Sequence, residues 1–202
     1  VTLAATPRRR VPIVFLAINE FARDTPWLHG LVAGYAKYGV VLFAVLLLVG
    51  WWRARRRGPA QVGAVLWAGA GTLLAVALNQ PLANGFHEAR PYTDHPQILV
   101  LASRTADYGF PSDHAVMAGA VAAGLWLADR RLGLVAATAA LLMAFARVYV
   151  AAHYPHDVAA GLAFGALVVG LGWLALGGPT RRAVARLTAT PLGGLLRARA
   201  VL

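Results

Sequence analysis

The sequence has no cysteine, one lysine and few acids. Without cysteine there are no disulfides, no thiolate metal sites and no cysteine nucleophile. Lys37 is the one lysine among 19 basic residues; the rest are arginines, and against 8 acids they leave a net charge of +11. Charged residues make up only 13% of the 202, roughly half the share in an average soluble domain. Rossmann and P-loop glycine motifs are missing, as is any internal repeat. A convincing signal peptide is missing too. The basic patch Arg8, Arg9, Arg10 precedes an apolar run, but that run is short and is broken by Asn19 and Glu20.

What is there is apolar surface. Hydrophobic residues make up 59% of the chain and the mean hydropathy is +0.60, so the main solvent is lipid. In such a chain a basic excess points to membrane orientation and anionic head groups rather than to nucleic acid. Five apolar stretches, near 30–52, 62–80, 112–128, 132–150 and 157–177, approach the roughly 20 residues that a bilayer-crossing helix needs. The third and fourth are short and rich in alanine and glycine. Segment 11–22 is too short to span and reads as an interfacial or partly inserted helix. These features predict an all-α integral membrane protein with about five to six transmembrane helices. Its expected parts are an N-terminal segment 1–28, a transmembrane domain 29–178 and a basic tail 179–202. Trp51, Trp52, Trp126 and Trp173 fit interfacial belts.

Arginines sort by loop. Arg53, Arg55, Arg56 and Arg57 follow the first span, Arg130 and Arg131 join the third and fourth, and Arg181, Arg182, Arg186, Arg197 and Arg199 lie in the tail. Alternating spans put all three groups on one side, which the positive-inside rule makes cytoplasmic. Most histidines and acids gather on the other side, in the clusters "EARPY" (Glu88 to Tyr92), "FPSDHA" (Phe110 to Ala115) and "ARVYVAAHYPHD" (Ala146 to Asp157). Arg147 follows His114 by 33 residues, about the length of two short antiparallel helices that return to one depth. His153 and Asp157, four apart, share a face if that stretch is helical.

These residue types suit an anion. Two arginines offer rigid, permanently charged forks for phosphate oxygens. Pro111-Ser112 reads as a helix start with Ser112 as N-cap, and its free N–H groups and dipole point at the same anion. One histidine can attack phosphorus while a neighbouring carboxylate holds its tautomer. A second histidine can protonate the leaving oxygen. Together they describe a metal-independent phosphatase.

The order Arg-Pro, Pro-Ser-x-His, Arg-x5-His-x3-Asp resembles the type 2 phosphatidic acid phosphatase (PAP2) superfamily, over residues 90–157 by motif and roughly 30–177 by span layout. The resemblance implies a PAP2-type helical bundle that uses no cofactor and no metal. In it His153 is the nucleophile, Asp157 orients it, and His114 is the general acid that later activates water. Arg90, Arg147 and Ser112 hold the phosphate with the backbone N–H groups near Asp113. Three positions depart from the pattern. Ala83 stands where the family has a lysine, with Arg104 a candidate replacement. Ala146 stands in place of a serine. Asp113 stands in place of a glycine and needs a positive partner, expected to be an arginine or histidine of the site or a cation bound with the substrate. Asp113 together with Glu88 resembles the bacitracin-resistance type of undecaprenyl-diphosphate phosphatase.

The expected substrate is therefore a polyprenyl (undecaprenyl) diphosphate at the outer leaflet of the cell membrane. It would be cut to the monophosphate so that the carrier lipid can be recycled for cell-wall synthesis. Other readings stay open: a phosphatidate, phosphatidylglycerol-phosphate or prenyl-phospho-sugar phosphatase, or a transporter or scramblase that only binds lipid phosphate. Locally, His153, His156 and Asp157 could form a metal cluster, a weaker reading beside paired arginines. Glu88 could pair with a loop arginine. His29, His87 and His95 fit an interface, and Gly161 with Gly165 fits close helix packing.

Overall fold

The computed structural model describes residues 12–191 and 193–197, and every regular element among them is helical. The elements are α1 (Ile13–Asp24), a 3-10 turn (Pro26–Leu28), α2 (His29–Tyr38), α3 (Val40–Ala54), α4 (Pro59–Phe86), α5 (Pro91–Asp94), α6 (Asp113–Ala128), α7 (Arg130–Tyr149), α8 (Pro155–Leu187) and α9 (Gly193–Leu196). Arg8, Arg9, Arg10 and Arg199 lie outside the described residues.

Three helices, α4, α7 and α8, are long and apolar enough to cross a membrane, and α2 with α3 forms a fourth span bent by 56°. By this measure the spans are fewer than the five to six expected, because α6 has 16 residues and rises only about 24 Å. It can be short because it runs through the middle of the bundle, packed on α4, α7 and α8. It therefore has no need to match the bilayer on its own. α8 continues past the expected boundary at 178 to Leu187. α1 has 12 residues, about 18 Å, too short to span. It buries Phe15, Asn19 and Ala22 and turns Ile13, Val14, Leu16 and Phe21 outward. Asn19, which interrupts the apolar run, clamps α1 to the loop after α5. Its Nδ2 donates to the Leu99 carbonyl at 2.7 Å and its Oδ1 accepts from Leu99 N–H at 3.1 Å.

One end of the bundle is tied by Asp129, the N-cap of α7. Its carboxylate accepts from Arg131 N and Leu132 N, as N-caps do, and also pairs with Arg53 at 2.7 Å and Arg57 at 2.9 Å. The arginine-rich segment after α3 thus meets the α6–α7 turn at one end, as the arginine count predicts. His114 and Arg147 lie at the opposite ends of those helices.

Glycines let the central helices touch. A Cβ on Gly119 would collide with the Leu162 carbonyl, and one on Gly165 with the Val116 carbonyl. One on Gly161 would stand 2.8 Å from the Ser112 carbonyl. α6 and α8 therefore meet backbone to backbone, as the small-residue spacing of Gly161 and Gly165 suggests. Gly165→Val is expected to lower stability by about 1–3 kcal/mol, read as a drop in Tm in detergent. Gly170→Ala, where an added Cβ meets nothing within 4 Å, is expected to leave Tm unchanged or slightly raised.

Candidate active site

The site is built where helices stop. α7 ends in a Schellman turn: Ala151 N–H donates to Val148 O at 2.9 Å and Ala152 N–H to Arg147 O at 3.1 Å, with Ala151 at φ 59°. Glycine usually occupies this left-handed position; an alanine there costs about 1–2 kcal/mol, which the surrounding packing must offset. The turn doubles the chain back, so that His153, six residues after Arg147, meets its side chain. Arg147 Nη2 lies 3.2 Å from His153 Nε2. Its Nη1 donates at 3.3 Å to the carbonyl of Ala36, in the last turn of α2, where helical carbonyls lose their intrahelical partners.

Arg90 comes from the other side. It precedes α5, whose first residue is Pro91, and is 8% exposed. Asp107 grips it bidentately, at 3.1 Å to Nε and 2.8 Å to Nη2. Its Nη1 donates to Ala152 O and lies 3.1 Å from His153 Nε2. Two guanidiniums thus converge on one imidazole nitrogen. Guanidinium offers only donors, so Nε2 is the acceptor and the proton sits on Nδ1, which donates to Gly109 O at 2.8 Å. Burial first, then the charges of Arg147 and Arg90, hold the His153 pKa well below the ordinary histidine value. The imidazole is neutral at physiological pH, with its lone pair on Nε2.

Asp157 is wholly buried at the start of α8. Its Oδ2 accepts from Tyr154 N–H at 2.8 Å and lies 3.5 Å from His153 Nδ1. It stands beside the imidazole, whose direct hydrogen bond goes to Gly109. No side-chain motif signals that partner, because it is a main-chain carbonyl. Ser112 caps α6 as predicted but makes no side-chain capping bond. Its buried Oγ has no hydrogen-bond partner among the described residues, and Ser112 itself is fully buried behind the cavity wall formed by its neighbours Pro111 and Asp113.

Asp113 departs from expectation. Its partners are neutral amides of α4, Asn79 Nδ2 at 2.7 Å and Gln80 Nε2 at 3.0 Å, rather than an arginine or histidine. Amide donors satisfy the carboxylate without consuming a site cation. Glu88 Oε1 lies 2.8 Å from His156 Nε2. Ligand atoms of Glu88, His156 and Asp157 lie within 4.8 Å of one another; His153, expected in such a cluster, is not part of it. His156 Nε2 lies between the two carboxylates, 2.8 Å from Glu88 Oε1 and 3.1 Å from Asp157 Oδ1. His95, expected at an interface, is 5% exposed.

A cavity of about 680 Å³ opens over the site, and its wall includes Arg90, Arg147, His153, His114 and Asp113. Ala83 and Lys37 also line it. Arg104 does not; it is exposed, with its guanidinium 5.8 Å from the Tyr92 ring centre. Lys37 carries no motif, and only the fold brings it to the cavity.

Burial raises the Asp107 pKa, but hydrogen bonds from Arg90 and Thr105 with the Arg90 charge outweigh it, so the pKa lies below the ordinary value. A depressed carboxylate stabilises the fold above its unfolded pKa of about 3.9, and the gain is lost as pH falls through the lower folded value. Asp107→Asn is therefore expected to lower stability by a constant amount between pH 8 and pH 5, about 1 kcal/mol or less for so exposed an acid, read as a lower Tm. The gap to wild type should close in stronger acid. A gap that does not change with pH would count against the pairing.

The PAP2 superfamily model matches residues 64–180. The chain is 28% identical over 157 residues to undecaprenyl-diphosphatase BcrC of Bacillus subtilis, covering 78% of this chain and 79% of that protein. It is 32% identical over 165 residues to decaprenylphosphoryl-5-phosphoribose phosphatase of Mycobacterium tuberculosis, covering 80% and 88%. Among solved structures, the transmembrane PAP2-type phosphatidylglycerolphosphate phosphatase of Bacillus subtilis superposes with a TM-score of 0.58 at 20% identity, over 78% of this chain and 82% of that one. With its membrane-spanning helices and this match over more than half its length, the chain belongs to the PAP2 superfamily and is an integral membrane lipid phosphatase.

Proposed function

We propose that the protein hydrolyses a polyprenyl diphosphate, undecaprenyl diphosphate in particular, to the monophosphate, with the site on the extracytoplasmic face of the cell membrane. The observation that carries the chemistry is the convergence of Arg90 and Arg147 on His153 Nε2. An anion entering the cavity takes over both donors and meets the lone pair they covered. The first N–H groups of α6 add further donors.

In the first step the Nε2 lone pair forms a bond to the terminal phosphorus. The bond from phosphorus to the bridging oxygen breaks, and its electron pair leaves with the lipid monophosphate. His114, on the cavity wall, takes up a proton in the field of the bound diphosphate and gives it to that oxygen. In the second step neutral His114 takes a proton from water, the hydroxide attacks phosphorus, and the N–P bond breaks to return the lone pair to Nε2. Asp157 and the Gly109 carbonyl stabilise the imidazole as it gains positive charge.

The diphosphate reading rests on the likeness to the Bacillus diphosphatase and on the leaving group. A lipid monophosphate leaves far more readily than an alkoxide, so the uncharged Ala83 costs less. The outer-face reading rests on the arginines around Asp129 at the opposite end. The Mycobacterium relative favours a second reading, a phosphate ester on a prenyl-phospho-sugar; both relatives are named for polyprenyl-phosphate lipids.

The test is phosphate release by detergent-purified protein from undecaprenyl diphosphate, undecaprenyl phosphate and phosphatidate, with and without EDTA. Preference for the diphosphate by at least tenfold in kcat/KM, unaffected by EDTA and abolished by His153→Ala, is expected. Equal or better phosphatidate hydrolysis would contradict the substrate, and complete loss with EDTA the metal-free mechanism.

A further inference from the structure

We infer that Lys37 is a specificity-determining residue that binds the second phosphate of the substrate, the one that leaves with the lipid; this rests on the diphosphate reading above. Lys37 lies within the α2–α3 span, in the last turn of α2, where an ammonium in lipid is costly and points to function. The next residue but one, Gly39, permits the bend. A Cβ there would lie 2.9 Å from the Tyr35 ring and still closer to the Met143 side chain and the Tyr35 carbonyl.

The bend has two consequences at one place. It leaves the Ala36 carbonyl to Arg147, and it brings the adjacent Lys37 to the wall of the cavity that holds His153. Ala83, on α4, leaves its part of that wall uncharged.

Every other charge in the cavity is committed. Arg90 is held by Asp107, Arg147 by Ala36 O, and both point at His153 Nε2. Asp113 is satisfied by Asn79 and Gln80. Lys37 makes neither an ion pair nor a hydrogen bond among the described residues; its one charge contact is the Tyr38 ring, 5.1 Å away. The two acids of the cavity wall are thus already engaged, and an anion is what remains to pair with the ammonium. The terminal phosphate is the one His153 attacks, so the group left for Lys37 is the phosphate that carries the lipid. An ammonium there opposes the negative charge that builds on the leaving group as the bridging bond breaks, so it acts on the transition state. A compact ammonium on a flexible stem can follow that charge, and arginine can substitute for it in part.

The test compares kcat/KM on undecaprenyl diphosphate and phosphatidate for wild type, Lys37→Ala and Lys37→Arg. In Lys37→Ala the diphosphate-to-phosphatidate ratio should fall at least tenfold, and Lys37→Arg should restore most of it. An unchanged ratio, whether both activities persist or fall together, would overturn the role of Lys37 and leave the substrate reading standing. Wild type that releases phosphate from phosphatidate but not from the diphosphate would overturn the substrate reading and this inference with it.

Discussion

Two cationic side chains that donate to one neutral nitrogen are the constraint on which the site depends. Arg90 and Arg147 repel each other, and one acid, Asp107, offsets them directly. The remaining acceptors are main-chain carbonyls, Ala36 O for Arg147 and Ala152 O for Arg90. Ala36 lies in the last turn of a helix and Ala152 just beyond the end of another. The break in the first span and the left-handed turn after α7 therefore supply the polar groups that hold a positive charge cluster in an apolar bundle. The arrangement keeps a net positive charge that a phosphate would neutralise, and it keeps the imidazole unprotonated until then.

Helix packing sets the depth of that cluster. α6 and α8 meet through glycines, and the contact reaches the site itself, since Gly161 lies against the Ser112 carbonyl and Ala115. Ser112 N–H donates to the Asp157 carbonyl at 3.2 Å. The start of α6, with its free N–H groups, is thereby fixed against the start of α8, next to the imidazole. A bulkier residue at Gly161 would part the proposed phosphate-binding turn from the proposed nucleophile without touching either side chain.

Much of this was legible in the sequence. Apolar stretches, arginine-rich loops and three short motifs carry local signals, and they led to the helical membrane fold and to the cluster of Arg90, Arg147, His114, His153, Ser112 and Asp157. What was not legible depends on main chain or on bends. The Gly109 carbonyl has no side chain to mark it. Asn79 and Gln80 sit in an ordinary apolar helix, and only the packing of α4 on α6 reveals them as the partners of Asp113. Lys37 reaches the cavity because α2 and α3 meet at 56°; a straight span would give no reason to single it out. Arg104 looked suitable by charge, but its loop turns it away, against Tyr92. The shortness of α6 follows from its central place, which composition cannot express.

The central claim is that His153 Nε2, the nitrogen covered by both arginines, attacks phosphorus. It is tested most directly by rapid acid-free quenching of turnover with a terminally labelled lipid diphosphate, followed by mapping of the labelled residue and its ring nitrogen by mass spectrometry and phosphorus NMR. Phosphorylation of His153 at Nε2, absent in His153→Ala, is the expected result. Label on Nδ1, label on another residue, or full turnover by His153→Ala would contradict it.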